Sequence, residues 1–124
     1  MIEYTVKVKD NGDKFWYLND KLHREDGPAG EYADGSKAWY LNGKMHREDG
    51  PAREYADGFK SWWLNGKLNR EDGPAIEWAD GSKSWYLNGE KVTEEEHKRR
   101  TSKVAEMTME EISKALGKQV KVVE

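Results

Sequence analysis

Residues 31–52 read EYADGSKAWYLNGKMHREDGPA, and this stretch returns at residues 54–75 as EYADGFKSWWLNGKLNREDGPA. A shortened copy, EWADGSKSWYLNGEKV, occupies residues 77–92. The interval between equivalent positions is 23 residues, and one tryptophan marks it in each copy: Trp16, Trp39, Trp62 and Trp85. A fixed period of this length indicates a repeat architecture, in which one small unit stacks on the next.

The first and last copies deviate from the others. The first keeps Gly12, Trp16 and Asn19 in register, but begins with the alternating residues 5–9, TVKVK. Terminal repeats are expected to differ because they must cover an open end. We therefore predict a β-repeat domain over residues 1–92, with a degenerate first unit, two full units and a truncated last unit. Residues 93–124 form a separate C-terminal segment.

Two turn signals lie in each unit, as in Asp34-Gly35 and Asn42-Gly43. Both dipeptides are typical of two-residue β-hairpin turns that need positive φ. The residues between the two turns are short and aromatic, as in strands, and Asp26-Gly27-Pro28 provides a third corner. The fold class predicted is mainly β: an antiparallel β-hairpin repeat ribbon or solenoid of about four 23-residue units.

Two-residue turns would fix the register of the strands. Tyr32 would lie opposite Lys37, Trp39 opposite His46, and Lys37 opposite Glu48. The tryptophan row would then share a buried face with Tyr32 and the leucine row. The second face, which we expect to be half-exposed, would carry Tyr40, Met45 and Arg47.

The C-terminal segment has helical patterns. Thr93 and Glu96 have the spacing of a capping box, and they predict a charged helix from Glu94 to roughly residue 106. A second capping box, Thr108 with Glu111, predicts another helix. The closing valines predict a strand: Val120, Val122 and Val123. This α-α-β cap would cover a sheet edge that is otherwise a liability, and a homodimer through a sheet edge or the cap is a further expectation.

The bulk composition limits the function classes. Of the 124 residues, 36% are charged and 35% hydrophobic, the net charge is −3, and there is no cysteine. This balance argues against a nucleic-acid or anionic-membrane surface, which would show a basic excess. The start of the chain does not resemble a signal peptide, and no apolar run reaches membrane-spanning length. We expect a soluble intracellular protein, with no membrane partner.

The recurring His-Arg-Glu-Asp-Gly-Pro stretch contains an imidazole and two carboxylates, which could serve acid–base chemistry or a metal. However, the third copy has Asn69 in the place of His23 and His46, and the fourth copy has lost the stretch. We therefore expect a structural role, in which Glu48 pairs with Lys37 and His46 packs against Trp39. Contact of the histidines with a ligand stays open. No catalytic residue, metal or cofactor is expected.

The aromatic rows are the stronger binding signal, because Trp, Tyr and Arg are enriched in binding hot spots. The basic stretch 97–103 follows three glutamates, so pairing of Glu94–Glu96 with residues four positions later accounts for it without nucleic acid. The tryptophan row is expected to be core, and the row that follows it half-exposed. The candidate binding residues are Tyr40, Trp63, Tyr86, Met45, Arg47, Arg70, His23 and His46.

The 23-residue period, with an aromatic strand, Asn-Gly-Lys-x-His and Ala-Asp-Gly, resembles a variant form of the MORN repeat over roughly residues 4–92. Here His-Arg-Glu-Asp-Gly-Pro replaces the usual His-Gly-x-Gly step. The fuller string WYLNGK-x-HREDGPA and the tail MTMEEISKALGKQVKVVE also resemble small proteins of tailed bacteriophages. The MORN resemblance implies protein association, and sometimes lipid contact, through a single-layer hairpin ribbon.

These observations lead to one expected function and two rivals. The expected function is a non-enzymatic, phage-encoded protein that engages and inhibits a bacterial protein, such as a component of host defence. The first rival is a small-molecule binder that sequesters a nucleotide-like signal. The second is a structural virion component.

Overall fold

A computed structural model describes residues 3–102 of the chain. One helix, α1, begins at residue 94 and reaches residue 102, where the described range ends. The strands are β1 Thr5–Val8, β2 Lys14–Leu18, β3 Lys21–Leu22, β4 Gly30–Glu31, β5 Lys37–Ala38, β6 Tyr40–Leu41, β7 Lys44–Met45, β8 Arg53–Glu54, β9 Lys60–Ser61, β10 Trp63–Leu64, β11 Lys67–Leu68, β12 Ile76–Glu77, β13 Lys83–Leu87 and β14 Glu90–Val92. The prediction of a mainly β protein built from antiparallel hairpins is confirmed. The predicted helix at Thr108 and the predicted strand at Val120–Val123 lie outside the described residues.

The main sheet has the strand order β1-β2-β4-β5-β8-β9-β12-β13-β14, with β3 also paired to β2. Two further hairpins, β6–β7 and β10–β11, stand beside it. Every paired neighbour is antiparallel. Each of the two full units therefore contributes two strands to the main sheet and one hairpin beside it.

The Asn-Gly turns match their prediction. Asn42 has φ 51° and Gly43 has φ 79°, and Leu41 pairs directly with Lys44 across the turn. Positive φ at both central residues is the requirement of a type I′ turn, whose twist suits a two-residue hairpin loop. Asn65 and Asn88 repeat this conformation.

The Asp-Gly turns differ from their prediction. Only Gly35 has positive φ, at 94°, and the Tyr32 N–H donates to the Ser36 carbonyl at 2.9 Å. The loop therefore contains three residues, of which the last is a left-handed glycine, the usual form of a three-residue hairpin loop. Asp34 favours this loop because its carboxylate accepts the Ser36 N–H at 2.8 Å.

The extra loop residue shifts the register by one. Glu31, not Tyr32, lies opposite Lys37, and Glu54 lies on the other side of Lys37. The predicted pairing of Lys37 with Glu48 is also wrong. Lysine and glutamate alternate along this face of the sheet: Lys14, Glu31, Lys37, Glu54, Lys60, Glu77 and Lys83. Opposite charges directly across a pair of strands stabilise it by about 0.2–1 kcal/mol.

In the two full units the chain changes sheet at Trp39 and at Trp62. The Trp39 N–H donates to the Ala52 carbonyl at 2.7 Å in the main sheet, and the Trp39 carbonyl accepts the His46 N–H at 3.0 Å in the adjoining hairpin. The predicted pairing of Trp39 with His46 is thus confirmed. Trp39 itself is only partly buried.

Small residues form the core, which is a correction to the predicted burial of the tryptophan row. The buried apolar residues are Ala29, Ala38, Ala52 and Ala75. The tryptophans and leucines are all partly exposed. So is the aromatic row that follows the tryptophan row: Tyr17, Tyr40, Trp63 and Tyr86. Because the hairpin ribbon is thin, it can enclose an alanine but not an indole.

Candidate functional site

On one side of the sheet, arginine side chains stack on Trp16, Trp39 and Trp62. The Arg47 Cζ atom lies 3.8 Å from the Trp39 ring centroid, Nε donates to Asp49 Oδ1 at 3.0 Å, and Nη1 donates to the Pro51 carbonyl at 3.0 Å. Arg24 and Arg70 repeat these contacts on Trp16 and Trp62. We call this side the tryptophan face. Its arginines are occupied by structural contacts.

Gly50 has a steric reason to be glycine. A Cβ atom at this position would lie 2.9 Å from Arg47 Cζ, closer than real Cβ contacts allow. Glycine in the Asp-Gly-Pro corner therefore makes room for the guanidinium.

The histidines connect successive units. His46 Nδ1 accepts the Asn65 N–H at 2.9 Å, and His23 Nδ1 accepts the Asn42 N–H at 2.8 Å. In the third copy, Asn69 Oδ1 accepts the Asn88 N–H at 2.8 Å. An amide oxygen and an imidazole nitrogen thus accept the same backbone hydrogen bond, which explains why asparagine can occupy the histidine position. Arg47, rather than His46, covers the Trp39 ring.

Replacing His46 with alanine should lower the free energy of unfolding by about 0.5–1.5 kcal/mol, because the hydrogen bond from the Asn65 N–H is lost. Replacing His46 with asparagine should recover most of that loss, as Asn69 does naturally. Urea unfolding followed by tryptophan fluorescence measures both. Equal losses in the two variants would contradict this role of the imidazole.

Helix α1 packs on the third unit through His97, which is 4% exposed. Its Nε2 atom lies 2.6 Å from the Arg70 carbonyl oxygen. The Thr93 hydroxyl accepts the Glu96 N–H at 3.1 Å, which confirms the predicted helix start. The helix thereby anchors to the last complete Arg-Glu-Asp stretch.

The basic stretch in α1 is paired with glutamate. Arg100 Nε donates to Glu96 Oε1 at 2.7 Å, as predicted, whereas Arg99 pairs with Glu96 and not with Glu95. Hydrogen bonds from Arg99 and Arg100 hold the pKa of the Glu96 carboxyl below its usual value. Hydrogen bonds to Glu90 and Glu96 raise the pKa of Arg100.

The opposite side of the sheet, which carries Ala38, is rich in aromatic residues. We call it the aromatic face. Tyr55 and Trp78 are 43% and 41% exposed, and Phe59 lies between them, with ring centroids 5.0 Å and 6.2 Å away. The Tyr32 ring packs edge-on against Phe15 at 5.5 Å. The aromatic face comprises Phe15, Tyr17, Tyr32, Tyr40, Tyr55, Phe59, Trp63, Trp78 and Tyr86.

A cleft of about 450 Å³ separates Tyr32 from Tyr55, with Ser36, Ala38 and Arg53 in its lining. We call it the Arg53 cleft. It is open because Ser36 stands where Phe59 stands one unit later. The Ser36 hydroxyl accepts the Ala56 N–H from the next unit at 3.0 Å. The volume of the Arg53 cleft falls within the range of about 300–1,000 Å³ found for ligand sites.

Arg53 interrupts the repeat, since the equivalent positions hold Gly30 and Ile76. Its Nη1 atom donates to the Tyr55 hydroxyl at 3.2 Å. Among residues 3–102, the other arginines each pair with a carboxylate, whereas no carboxylate lies within ion-pair distance of Arg53. Arg53 is therefore the guanidinium best placed to meet a ligand.

The surroundings of the cleft shift the pKa values of Tyr32 and Asp34. Burial raises the pKa of the Tyr32 phenol above its ordinary value of 10.0, with nearby Tyr40 adding to the effect and Arg53 opposing it. Hydrogen bonds from Ser36 lower the pKa of Asp34. At neutral pH, Tyr32 is therefore an uncharged donor, and Asp34 is an ionised acceptor already used by its own turn.

The structure divides the residues predicted as a binding surface between the two faces. Tyr40, Trp63 and Tyr86 lie on the aromatic face. Met45 pairs directly with Tyr40, and the Trp63 indole donates to Ser61 Oγ at 2.8 Å. The others lie on the tryptophan face or between units, in the contacts described above: Arg47, Arg70, His23 and His46.

Sequence reasoning missed Tyr32, Arg53, Tyr55 and Trp78. A signal for three of them was present, because an aromatic residue precedes Ala-Asp-Gly at each 23-residue interval. Arg53 was visible only as a departure from the repeat.

Within residues 3–102, no group of three or more His, Asp or Glu side chains is arranged to hold a metal ion. In the same range, no helix has the length and apolarity needed to cross a bilayer. No protein-family model, curated protein or solved structure matches this chain.

Proposed function

We propose that the chain is a non-enzymatic binding protein. Four stacked hairpin units form a ribbon, residues 93–124 cap it, and the aromatic face contacts another protein. The observation that carries this proposal is the pair of exposed rings, Tyr55 and Trp78, on a face that repeats every 23 residues. Monomeric proteins seldom expose aromatic surface in a row without a partner.

The two faces support this assignment by contrast. On the tryptophan face, Arg24, Arg47 and Arg70 are engaged with carboxylates and with the rings beneath them. On the aromatic face, rings and Arg53 retain surface for a partner. Large, rigid aromatic side chains lose little conformational freedom on binding, which favours them as anchors.

The histidines offer little support for catalysis. His23 and His46 use Nδ1 to accept a backbone N–H from the next unit. A general base needs a free nitrogen within reach of the substrate proton. Their position between units favours a structural role.

The proposed partner is a bacterial host protein, and its inhibition is the proposed outcome. This part of the proposal rests on the resemblance of WYLNGK-x-HREDGPA to tailed-bacteriophage proteins.

The double variant Tyr55→Ser/Trp78→Ser should lose the partner in affinity purification from a bacterial lysate. A hot-spot aromatic contributes about 2 kcal/mol or more, so even if only one of the two rings is a hot spot we expect at least about a 30-fold weaker affinity for the purified partner. Both rings are exposed, so the far-ultraviolet circular dichroism should be unchanged.

Tyr4→Ser is the matched control, because Tyr4 is 37% exposed and lies next to β1, away from the Arg53 cleft. The control should keep the partner. Full recovery of the partner by the double variant would contradict the proposal. So would an empty pull-down combined with a metabolite extract that raises the melting temperature.

A further inference from the structure

We propose that the aromatic face binds a proline-rich segment in the polyproline II conformation. One proline ring enters the Arg53 cleft, and Arg53 donates hydrogen bonds to carbonyls of the bound segment. This inference rests on the proposed function, because it names the kind of partner segment that the same face takes.

The spacing of the aromatic residues is the first argument. Tyr32, Tyr55 and Trp78 follow β4, β8 and β12, which are two places apart in the sheet order. Neighbouring strands lie about 4.7–4.9 Å apart, so equivalent rings repeat at about 9.4–9.8 Å. A polyproline II helix has three residues per turn and rises about 3.1 Å per residue, and therefore repeats at about 9.3 Å.

Other backbone conformations do not fit this spacing. An extended β-strand presents side chains to one side about every 6.7 Å, and an α-helix repeats about every 5.4 Å. Sheet twist of roughly 20–25° per strand turns successive rings by about 40–50°, so a straight segment can contact only a few of them. One turn for each of the three rings Tyr32, Tyr55 and Trp78 gives three turns. The matching segment is thus about nine residues long.

The shape of the cleft is the second argument. Its walls are the rings of Tyr32 and Tyr55, and its lining includes the small residues Ser36 and Ala38. Flat pyrrolidine rings dock between aromatic side chains in known modes of polyproline recognition. The preformed conformation of such a segment also reduces the entropy lost on binding.

The charges around the cleft are the third argument. Besides Arg53, its lining includes the two carboxylates of Asp34 and Asp57, and Lys37 is paired with Glu31 and Glu54 in the row on the opposite face. The net formal charge at the cleft is therefore not positive. The carboxylates already accept N–H groups in their own turns, from Ser36 at 2.8 Å and from Phe59 at 3.0 Å. This balance favours an uncharged ligand over an anionic nucleotide.

Arg53 supplies the polar contact that such a ligand needs. The carbonyls of a polyproline II segment have no internal hydrogen bonds, and a guanidinium presents several donors in a fixed plane. Because Gly30 and Ile76 occupy the equivalent positions, Arg53 also fixes where along the aromatic face the segment lies.

The test uses the full-length chain and two nine-residue peptides, blocked at both ends: nonaproline and an alternating Gly-Ser peptide. We expect nonaproline to bind saturably in isothermal titration calorimetry, at least tenfold more tightly than the Gly-Ser peptide. Absence of saturable binding, or equal affinity for both peptides, would overturn the inference. Binding of adenosine monophosphate in competition with nonaproline, with the tighter affinity, would do the same.

Ser36→Phe tests the cleft itself. It copies the natural arrangement at Phe59, so the chain should still fold, and it should fill the space between Tyr32 and Tyr55. We expect at least a tenfold loss of nonaproline affinity. Ser82→Phe, at the equivalent position of the fourth unit, is the matched control and should bind normally. Unchanged binding by Ser36→Phe would overturn the inference.

The two proposals can fail separately. If the partner is lost in Tyr55→Ser/Trp78→Ser but nonaproline does not bind the native chain, the proposed function stands and the polyproline inference fails. If the double variant retains the partner, the proposed function fails whatever the peptides do.

Discussion

Arg47→Ala should lower the free energy of unfolding by about 3 kcal/mol. The guanidinium stacks 3.8 Å above the Trp39 centroid, donates to the Pro51 carbonyl at 3.0 Å and pairs with Asp49 at 3.0 Å. Hydrogen bonds from a charged group contribute about 1.5–3 kcal/mol, and a cation over an indole about 0.5–2 kcal/mol. The exposed ion pair adds little. Urea unfolding followed by tryptophan fluorescence measures the change.

Two further arginine variants make this prediction specific. Arg53→Ala removes the same kind of side chain from the neighbouring strand β8, at a site without an ion pair among residues 3–102, and should change stability by about 0.5 kcal/mol or less. Arg47→Lys keeps the charge but loses the planar fork, and should fall between the native chain and Arg47→Ala. A loss in Arg47→Ala no larger than that in Arg53→Ala would contradict the role given to the arginine.

The sequence was sufficient for the parts of the fold that depend on local residues. The dipeptide Asn42-Gly43 tolerates positive φ at both positions, so its turn and the pairing of Trp39 with His46 could be predicted. Thr93 likewise identified the start of α1. In each case, the deciding interaction is made within a few residues of the signal.

The Asp-Gly loop could not be predicted in the same way, because the dipeptide suits both a two-residue and a three-residue loop. Bonds from another unit reinforce the longer loop in two of the copies. The Ala33 N–H donates to Asp13 at 2.8 Å, and the Ala56 N–H donates to Ser36 at 3.0 Å. These partners are 20 residues apart, so this reinforcement depends on how the units stack.

The one-residue error in register had a large consequence for the candidate site. Because side chains alternate along a strand, a slip of one residue exchanges the faces. Tyr32 was therefore assigned to the face of Trp39. Arg47 was assigned to the face of Tyr40 for another reason: it lies beyond β7, where its N–H donates to the Trp63 carbonyl of the next unit at 3.1 Å. The actual aromatic face joins the row predicted from Tyr40 with the missed row of Tyr55 and Trp78.

The histidine role depended on the neighbouring unit in the same manner. His46 reaches Asn65, 19 residues away, and nothing near His46 in the sequence indicates that contact. Asn69 in the third copy was the available clue, since asparagine and neutral histidine share an acceptor at a similar reach.

Deleting residues 40–62 tests the account most directly, because the deletion removes one 23-residue period and joins Trp39 to Trp63. If the units are interchangeable, every contact between units finds an equivalent partner: Arg24 meets the Trp63 carbonyl in place of that of Tyr40, and His23 accepts the Asn65 N–H in place of that of Asn42. The shortened chain should lose about one unit and one interface of stability.

The measurement is urea unfolding of this variant beside a control that lacks residues 40–51, which breaks the period. We predict a cooperative transition for the 23-residue deletion and none for the 12-residue deletion. A 23-residue deletion that fails to fold, or two deletions that behave alike, would contradict the view that this chain is a ribbon of equivalent stacked units.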